Sequence, residues 1–259
     1  MCSVDGRGGD LFLADNYALF VGRVSDTSVH AHYMVQLALG LRGPFELRAG
    51  GRIQDCRAAV VPSQAPHSLR AAHGEVLLIY LDPTATPGAQ VSARPGRAGV
   101  LTLGGAAVDG CVSDVERLWS AGAQRCNVDE LVHRVVSTLA PGGAPAPDID
   151  PRIRAVVGLL ESETGGDRKV PDLAGSVGLS PDRLRHLFKE QLGIPIRSYK
   201  SWARVRHAAQ LLAEGGSLTQ VAHEANFADA AHLSRSFRGM FGITLTEFSR
   251  NRIRLQGRP

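Results

Sequence analysis

The chain has 259 residues, enough for two ordinary domains, and its 44% hydrophobic and 21% charged composition is that of a folded protein rather than a disordered one. No apolar run reaches the roughly 18 residues a membrane-spanning helix needs, and the start MCSVDGRGGDLF lacks the features of an export signal, so no membrane partner and a cytoplasmic location are expected. The formal net charge of +4 is unevenly divided: residues 1–150 carry 12 Lys/Arg against 15 Asp/Glu, and residues 151–259 carry 17 against 10. A basic half joined to a slightly acidic one is the pattern of a polyanion reader with a separate sensing or assembly module.

Residues 11–110 are rich in Gly and in short apolar stretches, YALFVGRV, YMVQLALGL, AAVVP and EVLLIYLDP, separated by the turn signals RGP, AGG and DPTATPG. They predict an all-β module. Within it, SVHAHYMVQLALGL reads as one strand whose alternation puts His30, His32, Met34 and Gln36 on one face, and His67 follows the turn VPSQAP. A His-x-His strand followed by a later His is similar to the metal-binding pattern of cupin barrels. On that resemblance His30, His32 and His67 supply three nitrogen ligands to a divalent metal, with Gln36 where cupins often carry Glu. The alternative is that these histidines line a pocket or hydrogen-bond without metal. Cys2, Cys56, Cys111 and Cys126 lie far apart with no Cys-x-x-Cys pair, so neither a zinc ribbon nor a disulfide framework is expected.

From about residue 113 the period becomes helical. SDVERLWSAGAQ and NVDELVHRVVSTLA each open on a capping residue with an acid in the first turn, predicting a helical hairpin that closes the N-terminal domain. Val115, Leu118, Leu131 and Val135 either form an apolar dimer seam or cover the barrel. PGGAPAPDID, residues 141–150, has linker composition. Beyond it, a helix from Pro151 to about Ser162 ends at Gly165-Gly166, and Pro171 opens a short helix. Ser180 caps a longer one running to Gly193, and a long helix from Pro195 stops at Gly215-Gly216. Ser217 starts another short helix, Asp229 caps its longer partner, and a last helix runs from about Thr246 to Arg254.

Two short-helix, turn, longer-helix units repeat in this half. Leu173, Ala174, Val177, Leu184, Phe188, Leu192, Gly193 and Ile194 correspond to Val221, Ala222, Ala225, Leu233, Phe237, Phe241, Gly242 and Ile243, with one extra residue at the second turn. A small Ala in the first helix lets the second cross close above it, which is the requirement of a helix-turn-helix. Residues 167–255, through LSPDRLRHLFKEQLGIPIRSY, RVRHAAQLL and VAHEANFADAAHLSRSFRGMFGITLTEF, resemble the DNA-binding domain of the AraC/XylS family of bacterial transcription activators. Asn226 stands where the family usually has Gly, His186 where Arg is common, and Thr244-Leu245 where Ser-Pro is usual.

The side chains facing outward from the apolar stripes are the candidate DNA readers: Asp182, Arg183, Arg185 and His186 on the first long helix, and Ala230, Ala231, Ser234 and Arg235 on the second. Arg185 and Arg235 suit bidentate pairing with guanine, and Ala230 or Ala231 a thymine methyl. Lys189 and Arg238, each next to a buried Phe, suit phosphate. The family resemblance implies an α+β chain: a cupin-like sensor and dimerisation barrel with a helical hairpin over residues 1–140, a linker over 141–150, and an all-α domain of two helix-turn-helix units joined by a long helix over 151–259. It further implies a small-molecule effector, a homodimer, double-stranded DNA and RNA polymerase as partners, and no catalysis. A metal-binding cupin-type sensor or enzyme fused to a DNA-binding domain is the alternative, although no nucleophile or acid/base pair accompanies the histidines. An RNA- or protein-binding module is disfavoured by the 5% aromatic content.

Overall fold

The computed structural model describes residues 9–255, apart from 25, 72–73, 93–98, 121–126, 143–144 and 163–167. Contacts divide the chain into two units, Met1–Ala146 together with Arg238–Pro259, and Pro147–Phe237.

The first unit is built on two sheets. In chain order its strands are β1 (Gly9–Leu13), β2 (Tyr17–Arg23), β3 (Val35–Gly40), β4 (Phe45–Ala49), β5 (Arg52–Cys56), β6 (Ala58–Val61), β7 (His67–Arg70), β8 (Glu75–Leu81), β9 (Leu101–Leu103) and β10 (Arg252–Leu255). One sheet has the order β10-β1-β2-β8-β3-β6-β9 and the other β5-β4-β7. The central strands β3 and β8 are antiparallel, with Leu37 opposite Ile79 and Leu39 opposite Leu77, and all four side chains are inaccessible to solvent. Each contributes about 1.5–3 kcal/mol of burial free energy. Helices α1 (Thr86–Ser92), α2 (Ala106–Ser120) and α3 (Val128–Leu139) join the same core. Asn127 caps α3 by accepting from the amide of Glu130, as its sequence predicts. Tyr17 donates to Asp129 over 2.6 Å, and burial together with that carboxylate raises the phenol's pKa.

Several expectations for this unit need correction. The strand carrying Gln36 begins only at Val35, so His30 and His32 precede it, and His30 makes an isolated antiparallel bridge to His67. Local bonding competes with the ladder here: His32 Nδ1 donates to the carbonyl of Met34 over 2.7 Å. The segment DPTATPG does not act as a simple turn. Asp82 accepts from both the amide and the hydroxyl of Thr84, and the chain then enters α1, where Gly88 is required because a β-carbon would stand 2.0 Å from the Asp82 carbonyl oxygen. Helix α2 starts at Ala106, earlier than the capping signal at Ser113 suggested. Of the two readings of Val115, Leu131 and Val135, the structure favours the covering one: they are at most 2% exposed and belong to the core shared with the larger sheet. The last helix, α10 (Leu245–Ser249), stops short of Arg254. Arg252–Leu255 instead pairs in parallel with the edge strand β1, because RIRL offers the alternation an open edge can take up. Cys56 and Cys111 are buried free thiols, with burial pushing them up to about 12 and about 11, while Cys2 and Cys126 lie outside the described residues.

The second unit is helical: α4 (Pro151–Glu161), α5 (Val170–Ser176), α6 (Pro181–Leu192), α7 (Ile196–Ala213), α8 (Leu218–Glu224) and the first two turns of α9 (Ala230–Phe241). Pro151 begins α4, as expected, and Asp150 caps it, while the Gly165-Gly166 stop lies outside the described residues. The long helix α7 is locked to its neighbours by Tyr199, whose hydroxyl donates to Glu161 over 2.8 Å and whose ring meets Phe188 edge-on at 5.6 Å. Arg206 adds an ion pair to the same Glu161 at 3.0 Å. Among the described residues no helix is long and apolar enough to cross a membrane.

Candidate nucleic-acid interface and buried histidine cluster

The two short-helix, turn, longer-helix units have the same internal geometry. In the first, α5 to α6, the amide of Leu179 donates to the carbonyl of Ala174 over 2.9 Å; in the second, α8 to α9, the amide of Phe227 donates to the carbonyl of Ala222 over 2.8 Å. The residue before each donor is left-handed, Gly178 at φ 67° and Asn226 at φ 59°. Asn is among the side chains that tolerate this region, so its substitution for Gly leaves the turn intact. Ala174 and Ala222 are 0% and 1% exposed, consistent with the close crossing that the small side chain allows. Each longer helix is capped by an oxygen, Ser180 accepting from Arg183 and Asp229 accepting from His232. Each also ends on a left-handed glycine, Gly193 at φ 73° and Gly242 at φ 71°.

The stripes Leu184/Phe188 and Leu233/Phe237 are buried, at 0–1% exposure. The opposite faces hold the candidate readers. Asp182, Arg183, Arg185, His186 and Lys189 on α6 are exposed, as are Ala231, Arg235 and Arg238 on α9, with Ala230 and Ser234 half-buried. Three details of chemistry were not visible in the residue pattern. Arg185 is ion-paired with Asp182 at 2.5 Å, which aligns its guanidinium along the helix. His186 stands 3.9 Å from Glu190. The Ser234 hydroxyl donates to the carbonyl of Ala230, one turn back, leaving only its lone pairs for an outside partner. The Asp229 carboxylate at the start of α9 also opposes phosphate there, whereas the neutral Ser180 at the start of α6 does not.

In the first unit the structure brings His30, His32 and His67 together, with one ring nitrogen from each within 4.8 Å of the others. They are 5%, 2% and 1% exposed, and Gln36 beside them is 2% exposed. Every Nδ1 donates to a backbone carbonyl: His30 to Ser28 at 2.9 Å, His32 to Met34 at 2.7 Å and His67 to Ala65 at 2.9 Å. This sets one tautomer for all three and turns the Nε2 lone pairs away from the backbone. The Gln36 Oε1 lies 3.0 Å from His32 Nε2 and 2.9 Å from His67 Nε2. Burial holds the rings neutral, lowering His30 to about 4, His67 to about 3 and His32 in the same direction. Tyr80 packs edge-on to His32 at 5.2 Å.

The cluster is joined to the end of α9. Ser28, whose carbonyl holds His30, donates from its amide and its hydroxyl to the carbonyl of Gly242, and the Phe241 ring meets Tyr80 at 5.9 Å. No local signal announces this link, because its two halves are 214 residues apart.

A helix-turn-helix domain model matches residues 173–251. The arabinose operon regulatory protein of Escherichia coli strain K12 is 31% identical over 104 residues, which cover 39% of this chain and 36% of that protein. The lactose operon transcription activator of Staphylococcus xylosus is 31% identical over 80 residues, 30% of this chain and 29% of that one. The chain thus spans about a third of the length of these curated relatives. Among solved structures, ToxT from Vibrio cholerae O395 is similar with a TM-score of 0.62 at 13% identity, covering 90% of this chain and 97% of that one. Unsaturated fatty acid-bound ToxT from strain SCE256 gives 0.59 at 12%, covering 92% and 97%. The likeness to ToxT is one of fold, an N-terminal sheet-rich part followed by a helical part.

Proposed function

We propose that this protein is a sequence-specific transcription regulator of the AraC/XylS type that binds double-stranded DNA and is controlled by its N-terminal domain; the helix-turn-helix match over residues 173–251 and the likeness to the arabinose operon regulatory protein support this reading. The observation that carries the reading is the duplicated turn, Leu179 to Ala174 and Phe227 to Ala222, each presenting an exposed helix face above a buried alanine. Two recognition helices in a basic domain suit successive major grooves about one helical turn apart on a non-palindromic site. In this reading Arg185 and Arg235 pair with guanines, Ala230 and Ala231 contact thymine methyls, and Asp182, Arg183, His186 and Ser234 tune base choice. Lys189 and Arg238 hold phosphates.

The division of labour we propose is sensing and dimerisation in residues 1–140, a linker at 141–150, and DNA binding in 151–259, with RNA polymerase as the partner at the promoter and no catalytic step. The likeness in fold to ToxT, which has been crystallised with an unsaturated fatty acid bound, supports a small-molecule effector. The test is recovery of bound fragments from sheared genomic DNA, followed by gel shifts with the recovered duplex. Nanomolar binding to one non-palindromic motif is expected. Equal affinity for unrelated duplexes, or preference for single-stranded RNA, would overturn it.

A further inference from the structure

We propose that His30, His32 and His67, with the side-chain oxygen of Gln36, form a divalent transition-metal site in the first unit. The argument begins with protons. A backbone carbonyl only accepts, so the three Nδ1–H donations to Ser28, Met34 and Ala65 leave each Nε2 as a lone pair. Two of these lone pairs face a third acceptor, Gln36 Oε1, at 2.9 and 3.0 Å. Acceptors facing one another in a buried space need something between them that attracts all of them. A cation among the three ring nitrogens, which lie within 4.8 Å of one another, does this for the histidines and the Gln36 oxygen together, whereas a reversed carboxamide bridges only His32 and His67.

The donor set has the expected chemistry. Imidazole nitrogens and one amide oxygen suit Zn²⁺, Ni²⁺ or Fe²⁺ better than Mg²⁺ or Ca²⁺. A tetrahedral ion about 2.0–2.1 Å from its ligands separates them by about 3.3 Å, so the 2.9 and 3.0 Å spacings to Gln36 open slightly on binding while the three ring nitrogens, within 4.8 Å of one another, draw together. The Nδ1 bonds to carbonyls are the outer-shell supports that hold a ligating histidine in one tautomer and orientation. They also spread the positive charge that four neutral donors leave uncompensated.

The site bears on regulation through Ser28, which holds His30 on one side and Gly242, the cap of α9, on the other. That consequence rests on the DNA-regulator reading; the site itself does not. The test therefore uses the full chain without DNA, stripped with chelator and titrated with Co²⁺ under visible absorption. Saturation at one ion per chain is expected, with the strong d–d bands of a four-coordinate nitrogen-rich site, displacement by Zn²⁺, and loss in His32→Ala and His67→Ala. No saturable binding by the wild type, or binding by both variants equal to it, would overturn the site. Should the alanine variants fail to fold, Gln36→Glu decides. A carboxylate in the coordination sphere tightens cobalt binding, whereas unchanged or weaker binding means that the amide served only as a hydrogen-bond bridge and sinks the proposal.

Discussion

The carbonyl of Gly242 accepts two hydrogen bonds from Ser28, one from its amide at 3.0 Å and one from its hydroxyl at 3.2 Å, so the cap of the second recognition helix is also a contact of the histidine loop. Gly242 therefore carries two constraints where the equivalent Gly193 carries one. Both are left-handed, at φ 71° and 73°. Around Gly193 an added β-carbon meets nothing within 4 Å, but at Gly242 it would stand 2.5 Å from His30 Nδ1 and 2.7 Å from the Ser28 carbonyl oxygen. Gly193→Ala should cost about 1–2 kcal/mol of backbone strain. Gly242→Ala should cost more by the displacement of the loop. Chemical denaturation of the two variants makes the comparison, and equal losses would show that the Ser28 loop gives way freely.

Ala174 and Ala222 set the closeness of the two helix crossings. Enlarging either to Leu overpacks a site with no accessible surface to spare and should destabilise the chain by about 1–3 kcal/mol. Because each alanine belongs to one head only, gel shifts should show each variant losing discrimination in one half of the site. Loss over the whole site by both variants would mean that the heads are not independent readers.

Arg235 and Lys189 are both exposed cations on recognition helices, but their positions differ. Arg235→Ala should weaken binding to the best site by about 1–3 kcal/mol and relax base choice at one position. Lys189→Ala should weaken all duplexes alike and lower the salt dependence by about one counterion. Binding measured across a salt series on matched and mismatched duplexes separates the two. A uniform loss for Arg235→Ala would remove it from the readers.

Asp150 holds the start of α4, where its carboxylate accepts from the Arg152 side chain and amide, and these bonds lower its pKa to about 2. A depressed folded-state value means that the unfolded chain binds the proton first as acid is added. The stabilisation is thus complete above the ordinary aspartate value of 3.8 and is lost as pH falls towards about 2. Asp150→Asn should lower the melting temperature at neutral pH, and its deficit should shrink as the pH is lowered through that window. A deficit independent of pH would mean that the charge contributes nothing.

The helical half was legible from residues because its boundaries are local. Ser180, Asp229, Ser217 and Pro151 stop or start helices through bonds to atoms a few residues away, and the repeat of Ala174 at Ala222 carries the turn with it. The outward faces follow from the buried stripes, so the exposure of Arg185, Lys189, Arg235 and Arg238 was implicit as well. What those side chains do among themselves was not. The pairing of Arg185 with Asp182 and of Ser234 with its own backbone depends on rotamers that residue spacing leaves open.

Sequence alone determined that three histidines and a glutamine share one β module, and that a basic tandem of helix-turn-helix units follows it. Only the tertiary structure decided that His30 and His32 lie outside the strand of Gln36, that all three Nδ1 atoms are committed to carbonyls, and that RIRL pairs with β1 as a strand. The physical reason is reach. Caps, turns and amphipathic stripes are energies between near neighbours and leave a periodic mark. A parallel edge pairing such as Asp10 with Arg252, or an amide such as Ser28 meeting Gly242, depends on how distant segments are brought together, and no period in the chain records it.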